Sequence, residues 1–170
     1  LAGLGVISGY PGGSFGPERQ VTRAEIAAIL VRALNIEPGS EQELKFKDNA
    51  AIPAWARGAV AAAVREGLVK GYPQPDGTAT FEAGRSVTRA ELAVLVARIL
   101  EKELGTVAPA ELKFGDAARI PPWAKAGIGV AVAKGTVTGY PDSTFRPQNS
   151  ITRAEAAAMV LRLLDALGGK

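Results

Sequence analysis

The 170-residue chain is 47% hydrophobic but only 6% aromatic, and 31 of its residues are Ala, a balance that favours closely packed helices over a β-branched, aromatic-rich sheet sandwich. His and Cys are both absent, which excludes disulfides, iron–sulfur clusters, thiol and Ser–His nucleophiles, and the zinc and haem sites that need those ligands. A net charge of +3 without runs of like charge is too weak a footprint for nucleic acid, and the longest apolar window, Ala50 to Val64, is broken by Pro53 and Arg57, so no membrane span is expected.

Taken in order, the chain first offers a loop around Gly9-Tyr10-Pro11 that closes on Phe15. A helix is expected from Thr22-Arg23-Ala24-Glu25, because Ile26, Ile29, Leu30, Ala33 and Leu34 fall on one stripe at helical spacing. Phe46-Lys47-Asp48 follows, then a helix from about Pro53 to Glu66 carrying Trp55, with Pro as its start signal and Gly67 as its stop. The pattern then restarts. Gly71-Tyr72-Pro73 opens a loop that closes on Phe81, and Thr88-Arg89-Ala90-Glu91 opens a helix with its stripe at Leu92, Leu95, Val96, Ile99 and Leu100. Phe114-Gly115-Asp116 precedes a helix from Pro121 or Pro122 to Gly135, carrying Trp123. Last come Gly139-Tyr140-Pro141, Phe145 and Thr152-Arg153-Ala154-Glu155, with a stripe at Ala156, Met159, Val160, Leu163 and Leu164.

The spacings show three tandem copies. Successive motif Thr residues are 66 and 64 positions apart, each Phe of Phe-x-Asp precedes its Trp by 9, and each Trp precedes its Gly-Tyr-Pro by 16. The copies are assigned to 1–40, 41–105 and 106–170. Leu1 to Tyr10 matches Ala63 to Tyr72, so the first copy is expected to start near the end of its first helix, with roughly 20 residues of that copy lying upstream. No two-helix copy can bury its stripe alone, so the three are expected to form one cooperative domain.

Thr22, Thr88 and Thr152, each with Glu25, Glu91 or Glu155 three residues later, read as capping boxes. Arg23, Arg89 and Arg153 oppose the helix dipole in every copy, which suggests either a solvated or Glu-paired Arg, or a guanidinium that joins the free N–H groups of a helix start to bind an anion. Tyr10, Tyr72, Tyr140, Trp55 and Trp123 suit stacking on sugar faces, or else plug loops against helices. Phe15, Phe81 and Phe145 read as loop anchors, and Asp48 and Asp116 as turn caps or ligands. The loop carboxylates are too sparse for a calcium site, and no carboxylate pair is set apart for glycoside chemistry. Neither a catalytic residue, a metal nor a cofactor is therefore expected.

The stretch from Gly139 to Glu155 resembles the most characteristic part of the S-layer homology family, and Phe114-Gly115-Asp116 with Trp123 resembles that family's repeat opening. The resemblance covers nearly the whole chain. It implies an all-α fold of helix-loop-helix repeats set as a pseudo-threefold, three-pronged spindle around a central bundle. It also implies an extracellular anchor on the bacterial cell surface. Its expected partner is a secondary cell-wall polysaccharide, often bearing pyruvate ketals, or a peptidoglycan-linked polymer, held in grooves between repeats by Arg23, Arg89 and Arg153. Contacts between copies of the chain, in a structural assembly role, are the alternative. The second copy departs from the pattern: where Arg146 follows Phe145, Glu82 follows Phe81, in a loop four residues longer. Its groove is expected to be the weakest, so that losing Arg153 costs more binding than losing Arg89.

Overall fold

The computed structural model describes residues 15–168. The chain divides into two compact units between Ser86 and Val87. The first contains α1 (Arg23–Ala33), α2 (Ala54–Arg65) and a short antiparallel hairpin of β1 (Tyr72–Pro73) and β2 (Ala79–Thr80), with Tyr72 opposite Thr80. The second contains α3 (Arg89–Leu104), α4 (Pro122–Ala133) and α5 (Arg153–Ala166). Single 3-10 turns at Glu41–Glu43, Asn49–Ala51 and Ala117–Arg119 lead towards α2 and α4. The class is all-α, as the composition implied.

Helix ends follow from local chemistry. Gly67 and Gly135 adopt φ of +72° and +68°, the left-handed conformation that lets the chain turn out of α2 and α4. The N–H of Leu68 then reaches back to the Ala63 carbonyl, and that of Thr136 to Ala131, closing the last carbonyls of each helix. Asn35 serves the same purpose after α1 at φ +53°, with Ile36 N–H bonding the Val31 carbonyl. Pro53 and Pro121 sit just before the first helical residue, and Pro122 occupies that residue in α4.

Packing in each unit pairs helices from different sequence copies. The second helix of copy one, α1, packs on the first helix of copy two, α2, and α3 likewise packs on α4 and, less extensively, on α5. Alanine makes the close approach possible: Ala56, Ala61, Ala62 and Ala63 of α2 and Ala124 and Ala131 of α4 are buried. The stripes of α3 and α5 are buried at every expected position. In α1, Ile26, Ile29 and Leu30 are buried but Ala33 and Leu34 only half so. Ala24, Ala27, Ala28 and Val31 join that core, so α1 buries more than one stripe.

Candidate functional site

The three Thr-Arg-Ala-Glu segments start α1, α3 and α5. Thr22, Thr88 and Thr152 accept from the N–H of Glu25, Glu91 and Glu155 at 3.1–3.2 Å, and at α1 and α5 the Glu carboxylate in turn accepts from the Thr backbone N–H. The next N–H groups of α1 and α3 are not open. Arg23 and Ala24 donate to the carbonyls of Arg85 and Ala83, and Arg89 and Ala90 to those of Asn149 and Pro147, at 2.9–3.1 Å. The helix-start N–H groups expected to be free for an anion are therefore occupied at α1 and α3 by the loop of the following copy.

That loop is pinned by Phe-x-Asp. Asp48 accepts from the N–H groups of Phe81 and Glu82, and Asp116 from those of Phe145 and Arg146, all at 2.8 Å. Two fixed donors hold the chain where Glu82 and Arg146 take positive φ, +59° and +58°. Partial burial opposes charge on Asp116, but the two N–H donors outweigh it and hold its carboxyl below the ordinary 3.8. Phe81 and Phe145 are fully buried and meet Phe46 and Phe114 with ring centroids 5.4 and 5.3 Å apart. The same two rings explain the glycine of Gly-Tyr-Pro. A Cβ on Gly139 would lie 2.7 Å from Phe114, and one on Gly71 would run into Phe46.

Into each pinned loop the motif Arg of the preceding copy is inserted. Arg23 donates through Nε to the Phe81 carbonyl at 2.8 Å and through a terminal nitrogen to the Lys70 carbonyl at 2.7 Å. Arg89 does the same to Phe145 and Thr138, at 2.8 and 3.1 Å, and also bonds Glu155 at 2.7 Å. Both are buried. These acceptors offset the unfavourable helix dipole, and so account for a cation in the first turn. Tyr72 lies against the guanidiniums of Arg23 and Arg85, at 4.6 and 4.8 Å from its ring centroid. Tyr140 lies against those of Arg89 and Arg146, at 4.5 and 3.9 Å. The Tyr140 hydroxyl donates to Glu155 at 2.5 Å. Burial and this bond push the Tyr140 phenol above the ordinary 10.0. Burial acts against the Glu155 carboxylate, but Tyr140 and Arg89 prevail and hold it below 4.5.

Each unit thus brings together three expected residues, Arg23, Tyr72 and Asp48 in the first and Arg89, Tyr140 and Asp116 in the second. The pairing is offset by one copy: Arg89 works with the third-copy loop and its Arg146. The ranking of Arg153 above Arg89 rested on the departures of the second-copy loop, and that loop receives Arg23. Arg85 was missed in the sequence because it stands four residues after Phe81 rather than one. Trp55 and Trp123 stand apart on the first turns of α2 and α4, with 58% and 60% of their surface exposed, so neither plugs a loop. Surface cavities of about 270 and 500 Å³ near these turns contain none of the junction residues in their walls. Arg153 is buried in the first turn of α5, and Tyr10 lies outside the described residues.

The chain thus repeats a helix-loop-helix module, with this junction built in each of its two units. The family model for the S-layer homology domain matches residues 1–27, 45–93 and 113–157, and the chain belongs to that family. It is 41% identical over 166 residues to a cellulosome-anchoring protein of Acetivibrio thermocellus, covering 94% of this chain and 35% of that protein. It is 32% identical over 169 residues to the surface-layer 125 kDa protein of Lysinibacillus sphaericus, covering 97% and 13%. An amylopullulanase of Thermoanaerobacterium thermosulfurigenes shares 32% over 177 residues, covering 99% and 9%. The chain therefore spans about a third or less of these curated relatives. It is a cell-surface module, and no helix among the described residues is long and apolar enough to cross a membrane.

Proposed function

We propose that the chain anchors its parent protein non-covalently to an anionic cell-wall polymer, a secondary cell-wall polysaccharide carrying pyruvyl carboxylates or a peptidoglycan-linked polymer. The observation that carries this reading is the junction built twice: a tyrosine ring against one buried motif Arg and one half-exposed Arg, on a loop fixed by an aspartate. A half-exposed guanidinium beside an aromatic face offers a carboxylate a charge-assisted fork and a sugar a stacking surface. Arg23 and Arg89 hold the ring and loop of such a site, Arg153 is the third motif Arg assigned to ligand binding, and exposed Trp55 and Trp123 offer further sugar contacts. The three copies act as one cooperative module in this reading.

Co-sedimentation with purified cell walls tests it. Binding should fall at least tenfold when ketal pyruvate is removed chemically from the walls. Binding that ignores pyruvate and instead rises with protein self-association would support the assembly role.

A further inference from the structure

We infer that Arg85 is a ligand-binding residue of the first unit, doing from a different sequence position what Arg146 does in the second. This rests on the carboxylate-binding reading above.

The two loops can be matched by backbone alone. Glu82 and Arg146 both take positive φ, and both donate their N–H to the Phe-x-Asp carboxylate. Arg85 and Asn149 are equivalent in turn, because their carbonyls receive the first N–H of α1 and of α3, each at 2.9 Å. Sequence equivalence therefore sets acidic Glu82 against basic Arg146 and marks the second-copy loop as defective. The side chains tell otherwise. From the position of Asn149, Arg85 reaches the Tyr72 ring at 4.8 Å, as Arg146 reaches Tyr140 at 3.9 Å. Each guanidinium is tethered by a nearby carboxylate, Arg85 by Glu82 at 3.5 Å and Arg146 by Asp142 at 3.2 Å. The side chains of both are about half exposed, at 51% and 43%. Each thus presents to solvent the charge that its buried partner, Arg23 or Arg89, spends on loop carbonyls. Glu82 then acts as an orienting tether that a ligand carboxylate must displace, rather than as the loss of a basic site.

The test is calorimetric titration with a synthetic amino sugar carrying one pyruvyl ketal. Arg85→Gln should weaken one site about tenfold, the value of one charge-assisted hydrogen bond. Arg146→Glu should remove binding at the second-unit site. Adding Asn149→Arg to that variant should restore it, because the doublet reproduces the first-unit arrangement. Full binding by Arg85→Gln, or failure of Asn149→Arg to rescue a folded Arg146→Glu protein, overturns the assignment of Arg85 while leaving the anchoring reading intact. No binding of the ketal by the unaltered chain overturns the pyruvyl-carboxylate reading and the assignment of Arg85 with it.

Discussion

The two junctions use the same parts with different spacing. In the first unit the loop between tyrosine and buried phenylalanine is four residues longer, and the extra length forms the β1–β2 hairpin. In the second, Thr144 N–H bonds the Asp142 carboxylate as Thr78 N–H bonds Asp76 in the first, but the turn is shorter and no strand pair forms there. Yet the aspartate pin, the phenylalanine pair and the doubled guanidinium on tyrosine recur with distances that differ by less than 1 Å. The loop is free to vary in length because its two ends, not its middle, are fixed: tyrosine at one end and the Asp-bound N–H pair at the other. A side chain three residues away can then supply the same charge.

The largest expected effect comes from removing the buried guanidinium. Arg89→Met strips two carbonyls and Glu155 of their donor and should cost about 3 kcal/mol of stability, measured by urea unfolding. Arg23→Met tests the two-carbonyl part of the same device. Losses that agree within about 1 kcal/mol would mean that the carbonyl bonds dominate and that the partly exposed Glu155 adds little.

Next is the loop pin. Asp48→Ala and Asp116→Ala each leave two N–H groups without their acceptor, at an expected cost of about 2 kcal/mol apiece. Equal losses would support the view that the longer loop is held only by its ends. A much smaller loss at Asp48 would show that the hairpin holds itself. Gly71→Ala and Gly139→Ala should follow at about 1–2 kcal/mol, because the added methyl overpacks against Phe46 or Phe114. Pairing Gly139→Ala with Phe114→Leu should recover part of the loss if the ring is the obstacle.

The smallest effect is on pH dependence. Glu155 is held below its ordinary value of 4.5, so its bonds stabilise the fold fully above that pH and are lost as the pH falls through the lowered value. Tyr140 is raised above 10.0, so its contribution is full below that pH and is lost as the pH rises through the raised value. The stability gap between the unaltered chain and Glu155→Gln should be constant near neutrality and narrow on acidification below 4.5. A gap that persists in acid would mean that the Thr152 cap, rather than the charge on Glu155, sets its value.

Much of this was legible from residue order. Helix starts at Thr-Arg-Ala-Glu, stops at Gly67 and Gly135 and the apolar stripes of α3 and α5 are local consequences of capping, left-handed glycine and helical period. Arg23 and Arg89 were recognisable as anomalies for the same reason, since a cation at a helix start conflicts with the local dipole wherever it occurs.

What the sequence could not determine is whose loop each Arg enters. The repeat in the sequence runs helix-loop-helix within one copy, but the packed unit joins the second helix of one copy to the first helix and loop of the next. The motif spacing is the same under either pairing, so it cannot distinguish them. Only the burial of the stripes, and the acceptors that a buried guanidinium must find, choose between them. Arg85 belongs to that second category. Its role depends on where a side chain ends in space, and a tertiary contact can keep that point fixed while the residue that reaches it moves along the chain.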